Sequence, residues 1–347
     1  MEKIFWDKAL SGEEIFLYVL QNKNGMRVEI SNFGATIIGL YVPDKNGKIE
    51  DVVMAYDKLS DYYKNWHCIG CSVGPNANRI ANAKYTLDGI EYQLEAGNDG
   101  HNLHSHSSLG YQKRVWIVEK YSDEEITFMC ECSDGEMGFP GNKINHITFA
   151  VTEDNELKIH YYVTTDKKTI INMTNHSYFN LSGNLSSSVK KHQLWLDCSH
   201  YTPIDDKGIP TGEIVPVEGT VMDFTSPRLL EGGLKSHSPE IKSVKGYDHN
   251  FCVDDWNGTL KKIGQLYEEN SGRCMEVFTD LPGIQVYTGN YLGRCKGRNK
   301  KVYKTHGAIC LETQYFPNHI NEKNFVPAVF DKEHPYDSTT IYKFSVK

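Results

Sequence analysis

A histidine in a polar segment near the middle of the chain is the first candidate for chemistry. The segment, residues 170–183, reads IINMTNHSYFNLSG. If it forms a strand, His176, Tyr178 and Asn180 project to one face, because successive side chains alternate. A face of hydrogen-bonding groups is costly to bury in a core and natural for a sugar cleft. His176 is therefore either one of the groups that line such a cleft or a histidine held by a neighbouring backbone group.

A carboxylate near the C-terminus is the second candidate. In residues 307–317, strand alternation places Glu312 and Gln314 on one face and Ile309 and Leu311 on the other. Desolvating a carboxylate in an apolar strand favours its protonated form and makes it a better base. Glu312 is thus a candidate general base, with an ion pair to a nearby basic residue as the alternative.

Two further polar groups lie between the predicted strands. Residues 77–80 with 102–106, and residues 246–251, combine Arg, Asn, His and Asp side chains. Such side chains suit the recognition of neighbouring hydroxyls, each of which needs both a donor and an acceptor. Either group alone could also be turn chemistry.

Histidines and a cysteine pair raise the question of a metal. His101, His104 and His106 are closely spaced, but no further Cys or carboxylate stands at ligand spacing beside them. Cys68 and Cys71 lack both the second pair of a zinc site and the βαβ pattern of a thioredoxin-type site. We expect no metal, and we predict that these two cysteines lie in the core within a strand.

Composition excludes several classes of protein. The 347 residues carry a formal charge of −8, which argues against a nucleic-acid partner. No apolar run approaches the roughly 20 residues that cross a bilayer, so we expect no membrane partner. Nine cysteines suit reduced thiols and a cytoplasmic location.

Neither a phosphate-binding glycine loop nor a G-x-S-x-G elbow occurs. The basic run at residues 294–301 is predicted to be a solvated loop.

Strands must position these side chains, because helical periodicity is nearly absent apart from residues 59–64. Asp44 to Gly47, Asp134-Gly135 and Asn257-Gly258 are typical strand-connecting turns. The sequence predicts an all-β fold, a large antiparallel β-sandwich of two sheets, in a single domain over residues 1–347. The predicted strands cover residues 26–30, 36–42, 85–87, 115–118, 126–130, 147–151 and 157–163.

Taken together, these segments resemble the aldose 1-epimerase (galactose mutarotase) family nearly end to end. The resemblance depends on the order of many short segments rather than on one motif. Those segments are residues 33–37, 51–54, 77–80, 103–104, 174–181, 201–203, 209–213, 248–251, 282–289 and 311–314.

The resemblance implies a galactose mutarotase-like supersandwich with an open sugar cleft on one sheet. It implies that His176 is the general acid and Glu312 the general base that interconvert the α and β anomers of a free hexose such as galactose or glucose. Neither a metal nor a cofactor is implied. The partner is a monosaccharide, and the protein is a monomer or homodimer. The positions matching sugar contacts are Asn78, Arg79, His104, Tyr178, Asp248 and Gln285.

Two departures from the family pattern lie beside these contacts. Gly74-Pro75 stands where the family usually has Gly-Arg, and Ser105-His106 where it has Gly-Gly. They leave the preferred sugar open. One alternative is an epimerase of hexose 6-phosphates, although the His-Gly-Phe-Ala-Arg stretch of those relatives is absent. Another is a carbohydrate-binding protein without catalysis, which would not need both His176 and Glu312.

Overall fold

The computed structural model describes residues 2–347, and these residues form mainly β-strands. The strands are β1 (Glu2–Lys8), β2 (Glu14–Gln21), β3 (Arg27–Ser31), β4 (Thr36–Pro43), β5 (Ile49–Asp51), β6 (Ser72–Val73), β7 (Arg79–Ile80), β8 (Lys84–Leu87), β9 (Ile90–Gln93), β10 (Asn102–Leu103), β11 (Ile117–Tyr121), β12 (Glu125–Cys132), β13 (Lys143–Val151), β14 (Glu156–Thr165), β15 (Thr169–Ile170), β16 (Thr174–Asn175), β17 (Gln193–Leu196), β18 (His200–Tyr201), β19 (Val215–Pro216), β20 (Arg228–Leu229), β21 (Asp248–Cys252), β22 (Lys261–Tyr267), β23 (Arg273–Thr279), β24 (Gly283–Tyr287), β25 (Arg294–Lys296), β26 (Val302–Lys304), β27 (Cys310–Gln314), β28 (Val329–Phe330) and β29 (Tyr336–Val346).

Helices are few and short. The first, α1 (Leu59–Tyr63), lies where the sequence predicts one, whereas α2 (Leu230–Leu234) and α3 (Pro239–Ser243) were not predicted. All three have five residues, which is too few for a clear helical periodicity. Within the described residues, no helix has the length and apolar character needed to cross a membrane. Single 3₁₀ turns occur at Ala81–Ala83, Tyr111–Lys113, Glu136–Gly138, Val189–Lys191 and Arg298–Lys300.

Three antiparallel sheets make up most of the fold. The largest has nine strands in the order β11-β12-β13-β14-β29-β23-β22-β17-β20. A five-stranded sheet has the order β19-β18-β21-β24-β27, and the N-terminal sheet runs from β1 to β5 in sequence order. Adjacent strands in all three pair antiparallel. The predicted all-β, antiparallel class is confirmed.

The nine-stranded sheet and the five-stranded sheet that contains β27 pack face to face through side chains of β27 and β29. Tyr342 donates a hydrogen bond from its hydroxyl to the carbonyl of Leu311 at 2.8 Å. Its ring also packs on Phe179, with ring centroids 5.0 Å apart. Tyr342 and Leu311 belong to a buried apolar cluster that includes residues from Tyr18 to Phe344. This arrangement buries one face of the five-stranded sheet and leaves its other face for a cleft.

Alternation along the strands explains most of the core. In β13, Ile147, Phe149 and Val151 are buried, whereas Thr148 and Ala150 between them are partly exposed. All seven predicted strands overlap strands of the structure. The three predicted turns also connect consecutive strands, β4 to β5, β12 to β13 and β21 to β22.

Three local predictions are wrong. Residues 170–183, considered above as a possible strand, contain only the last residue of β15 and the two-residue β16, and the chain turns at residues 181–183. Cys68 and Cys71 are buried, as predicted, but they lie in a loop rather than a strand. The basic run is not simply solvated, because Arg298 is partly buried and pairs with Glu29 at 2.6 Å.

Candidate active site

A cavity of about 250 Å³ lies on the five-stranded sheet and collects every residue predicted to contact a sugar or transfer a proton. The sequence does not single out Trp66, His67 and Tyr291, which also line the cavity, and it includes Leu103 and Tyr287 only as parts of family segments. The predicted residues among the lining are Asn78, Arg79, His104, His176, Tyr178, Asp248, Gln285 and Glu312.

Three adjacent strands carry the carboxylates and the amide of the site. In β24 and β27, Gln285 lies directly opposite Glu312. In β21, Asp248 lies opposite Tyr287, two residues beyond Gln285 on the same face of β24. Strand alternation sends Leu311 of β27 into the core and Glu312 into the cavity, as the sequence predicts.

His176 is held by an extended segment that pairs with the loop before β6. Its backbone N–H donates to the carbonyl of Cys71 at 2.9 Å. Its imidazole lies flat against the ring of Tyr178, with centroids 4.9 Å apart. The hydroxyl of Tyr178 donates to the backbone carbonyl of His67 at 2.8 Å. Tyr178 therefore lines the cavity as a support for His176, with its hydroxyl already committed to the protein.

His176 and Glu312 meet at the floor of the cavity. Nε2 of His176 lies 3.7 Å from Oε1 of Glu312, and the two residues are only 6% and 2% exposed. Burial raises the pKa of Glu312 well above 4.5, and the nearby charge of Asp248 raises it further. Burial lowers the pKa of His176 to about 4. Without a bound sugar, burial therefore favours the uncharged form of both groups. The one proton that the pair exchanges then lies on the Glu312 carboxyl.

The side chains of the pair have few partners among the described residues. Within residues 2–347, Nδ1 of His176 is buried without a hydrogen-bond partner. The Glu312 carboxyl contacts the His176 imidazole in the same part of the chain. Buried polar atoms are normally satisfied, so an unpaired ring nitrogen on a residue that lines a cavity marks that residue as a candidate for a functional role.

A second polar group forms one wall of the cavity around Asp248. Its Oδ1 accepts a hydrogen bond from Nε2 of Gln285 at 2.7 Å. Its Oδ2 lies 3.4 Å from the guanidinium of Arg79, which reaches the site from β7. An arginine and a carboxylate fixed side by side offer donors and acceptors in a set geometry, which suits adjacent sugar hydroxyls.

Asn78 and His104, which both line the cavity, hold each other in place. The backbone N–H of Asn78 donates to Nδ1 of His104 at 3.1 Å, and the N–H of His104 donates to the carbonyl of Asn78 at 3.0 Å. Burial lowers the pKa of His104 well below 6.5, so its ring is neutral. Since Nδ1 accepts, the ring proton lies on Nε2, where it can be donated.

One departure from the family pattern, Ser105, contacts the residue that follows the other departure. Ser105 donates from its hydroxyl to the carbonyl of Asn76 at 2.8 Å and accepts from the N–H of the same residue at 2.8 Å. Asn76 directly follows Pro75. The two loops that carry Asn78 and His104 are therefore joined by a side chain where the family usually has glycine.

The histidines considered as metal ligands have backbone partners instead. Nδ1 of His101 accepts from the N–H of Asn82 at 2.9 Å, and Nδ1 of His106 accepts from that of Ser108 at 3.2 Å. Among the described residues, one group of three metal-ligating side chains lies close enough to share an ion, and it contains neither of them: His176, Cys310 and Glu312.

One polar residue on the expected cleft face lies elsewhere, and some residues that line the cavity were missed. Asn180 does not line the cavity, because the chain turns and its amide donates to the carbonyl of Gly307 at 2.8 Å. Tyr287 could have been found, since alternation places it on the same face as Gln285. Trp66 and His67 lie in an irregular loop, where no periodic pattern indicates which side chain faces the cleft.

Comparison with known proteins gives a consistent result. The family model for aldose 1-epimerase matches residues 17–343. A galactose mutarotase of Bos taurus is 37% identical over 346 residues, which cover 99% of this chain and 98% of the relative. An aldose 1-epimerase of Escherichia coli (strain K12) is 32% identical over 338 residues, 97% of each chain.

Solved structures agree at the level of the fold. A GalM/aldose epimerase homologue from C. elegans aligns with a TM-score of 0.88 and 29% identity, over 95% of this chain and 98% of that one. A galactose 1-epimerase from Lactobacillus acidophilus aligns with a TM-score of 0.86 and 23% identity, over 99% and 98% of the two chains. The second likeness concerns the fold alone.

Proposed function

The chain belongs to the aldose 1-epimerase family and is an isomerase of that kind, and we propose that it interconverts the α and β anomers of a free hexose such as galactose or glucose. The observation that carries the proposal is the approach of His176 Nε2 to Glu312 Oε1, 3.7 Å, at the floor of the cavity. O1 and O5 of an aldose are both bonded to C1, so an acid and a base that act on them must lie within a few ångströms of each other.

The reaction is two proton transfers around one bond. Glu312, as carboxylate, removes the proton of the O1 hydroxyl, and C1=O forms while the bond from C1 to O5 breaks. His176, as imidazolium, protonates O5. Rotation about C1–C2 presents the other face of the aldehyde, and the same two groups in reverse close the ring as the other anomer.

Substrate binding moves the proton into the state that this sequence of steps needs. In the empty cleft, burial favours neutral Glu312 and neutral His176. A bound sugar donates its O1 hydroxyl to the carboxylate and accepts from the imidazolium at O5, which stabilises the charged form of each. The pair holds one proton throughout, and the sugar determines which member carries it.

The remaining polar side chains orient the ring. We infer that Asp248 accepts from a hydroxyl while Arg79 and Gln285 donate to neighbouring oxygens. Neutral His104 donates from Nε2, and Asn78 offers its amide. Trp66 is 79% exposed at the rim, where its face can stack on the apolar face of a pyranose. Holding the hexose in one orientation against a fixed acid and base supplies much of the rate enhancement.

The charges of the cavity favour a free sugar over a phosphorylated one. Arg79 is the one lysine or arginine among its described lining residues, and it is already paired with Asp248. A phosphate group would need unpaired cations or a nest of backbone N–H groups to offset its charge.

Polarimetry tests the proposal. Purified protein should accelerate the approach of freshly dissolved α-D-galactose or α-D-glucose to its equilibrium rotation. Glu312→Gln should lower this rate by about 10²- to 10⁴-fold. Thr313→Val, on the other face of β27, is the matched control and should keep it. Activity on hexose 6-phosphates alone would favour the phosphate-specific alternative. Sugar binding with no difference between wild type and Glu312→Gln would favour the binding-protein alternative.

We also propose that the chain acts as a single domain in a reducing compartment such as the cytoplasm, as a monomer or homodimer. The buried cluster drawn from Tyr18 to Phe344 supports one domain. Nine free cysteines, eight of them buried, support a reducing compartment.

A further inference from the structure

A thiol lies beside the two proton-transfer groups, and the proposed reaction does not use it. Cys310 precedes Glu312 by two residues in β27, so both side chains project to the same face. One ligand atom each from His176, Cys310 and Glu312 lie within 4.8 Å of one another, and all three residues are buried. No hydrogen bond holds the Cys310 thiol within the described chain, which leaves its sulfur available.

We propose that His176, Cys310 and Glu312 form a binding site for a thiophilic divalent cation such as Zn²⁺, and that the bound ion blocks turnover by occupying the general acid and the general base. The inhibition rests on the proposed function, whereas the binding does not. Three protein ligands leave one position open, unlike in a structural zinc site, and two of them, His176 and Glu312, line the cavity.

The ligand chemistry fits this class of ion. Imidazole nitrogen, thiolate sulfur and carboxylate oxygen are the three donors that Zn²⁺ accepts most readily, and tetrahedral coordination by three of them leaves one position open. Bond lengths of about 2.0–2.3 Å place neighbouring ligand atoms roughly 3.5 Å apart. His176 Nε2 and Glu312 Oε1 are 3.7 Å apart, and the ligand atoms of all three residues lie within 4.8 Å of one another. Binding an ion therefore requires side-chain shifts of about 1 Å.

Charge balance also favours the ion. Zn²⁺ displaces one proton from the thiol and one from the carboxyl, and both protons leave to solvent. The resulting unit of one dication, one thiolate and one carboxylate has no net charge, so it can be buried without the cost of an isolated charge. Asp248 and Arg79 offset each other nearby and do not alter this sum.

The test uses the full chain and two metal ions. Cd²⁺ is titrated while the ultraviolet charge-transfer absorption of a cadmium thiolate is recorded, with and without a saturating concentration of galactose. Zn²⁺ is titrated against the anomerisation rate by polarimetry, and a chelator is then added. We expect one equivalent of Cd²⁺ to bind to a thiolate and galactose to displace it. We also expect Zn²⁺ to inhibit anomerisation and the chelator to reverse this inhibition.

Variants assign the site. Cys310→Ser and Cys310→Ala should turn over within a few-fold of wild type without metal, and should need at least about tenfold more Zn²⁺ for half inhibition, because losing a direct ligand costs more than losing a supporting contact. Cys295→Ser, which removes the one partly exposed cysteine of the described chain, is the control and should respond as wild type does. Thermal unfolding establishes that each variant is folded.

Two results overturn the proposal: a wild type with no thiolate–Cd²⁺ band, or Cys310 variants that bind and are inhibited as wild type is. The two proposals can fail separately. If the protein binds Cd²⁺, Cys310→Ser abolishes this binding and the wild type shows no anomerisation, the metal site is supported while the proposed function fails.

Discussion

The imidazole of His176 stacks on the ring of Tyr178, with the two planes inclined by only 12°. Because the Tyr178 hydroxyl is fixed to the His67 carbonyl, the tyrosine gives His176 a rigid backing that its own unpaired Nδ1 does not provide. Tyr178 therefore acts as a positioning residue for the general acid.

Replacing Tyr178 should separate this positioning from sugar binding. Tyr178→Phe keeps the ring and loses one hydrogen bond, so we expect kcat to fall less than about tenfold. Tyr178→Ala removes the backing and should lower kcat by at least about 100-fold with a smaller change in KM. Initial rates over a range of sugar concentrations measure both constants. A folded Ala variant with wild-type kcat would contradict the positioning role.

The pH dependence of kcat/KM reports the proton count of the His176–Glu312 pair. Turnover needs one proton on the pair. Because burial lowers the pKa of His176 to about 4, the second proton binds only at low pH, and activity should persist down to about pH 4–5. Because the pKa of Glu312 is raised, the last proton leaves above its ordinary 4.5, which sets the alkaline limb. An acid limb near 6.5 would contradict this account.

Asp248→Asn should change both sugar affinity and the alkaline limb. The carboxylate accepts from Gln285 and pairs with Arg79, so its loss should raise KM by about 10- to 100-fold. Its negative charge also raises the pKa of Glu312, and removing it should shift the alkaline limb to lower pH. Asp254→Asn, which removes a carboxylate that accepts from Ser199 rather than one in the cleft, should leave both unchanged.

Local patterns predicted the strands and which face each side chain takes. Glu312 and Gln314 emerge on one face of β27 because alternation depends only on the strand itself. The register between two strands depends on both of them, so the pairing of Gln285 with Glu312 could not be predicted from either segment alone. Family resemblance supplied the site residues, which periodicity alone left open.

Long-range partners explain the failures. Arg298 looks solvated among Gly, Lys and Asn, yet its partner Glu29 lies 269 residues earlier in the chain. Asn180 follows the strand pattern of His176 and Tyr178, but the chain turns beyond Phe179 and carries it away from the cleft. Local sequence contains no signal for either outcome.

Ser105 tests whether the departures from the family pattern matter. Ser105→Ala removes both hydrogen bonds to Asn76 and should destabilise the fold by about 2 kcal/mol. Ser105→Gly loses the same bonds but relaxes a backbone φ of +68°, so it should be more stable than Ser105→Ala by about 1 kcal/mol. Denaturant unfolding measures the order, and equal stabilities would contradict it. Because His104 is adjacent, KM should rise in both variants.

Catalysis requires the buried Glu312 carboxyl to ionise, and we expect this ionisation to destabilise the folded protein. Its folded pKa lies above the unfolded 4.5, so the carboxyl contributes fully to stability below pH 4.5, and that contribution is lost as pH rises toward the folded value. Glu312→Gln, which cannot ionise, should therefore have a higher Tm than wild type at pH 7, and this difference should shrink toward pH 4. Calorimetry at several pH values, with Thr313→Val as the control, measures it. A lower Tm for Glu312→Gln at pH 7 would show that the carboxyl is stabilised by partners in the folded state, and that activity is not maintained at the expense of stability.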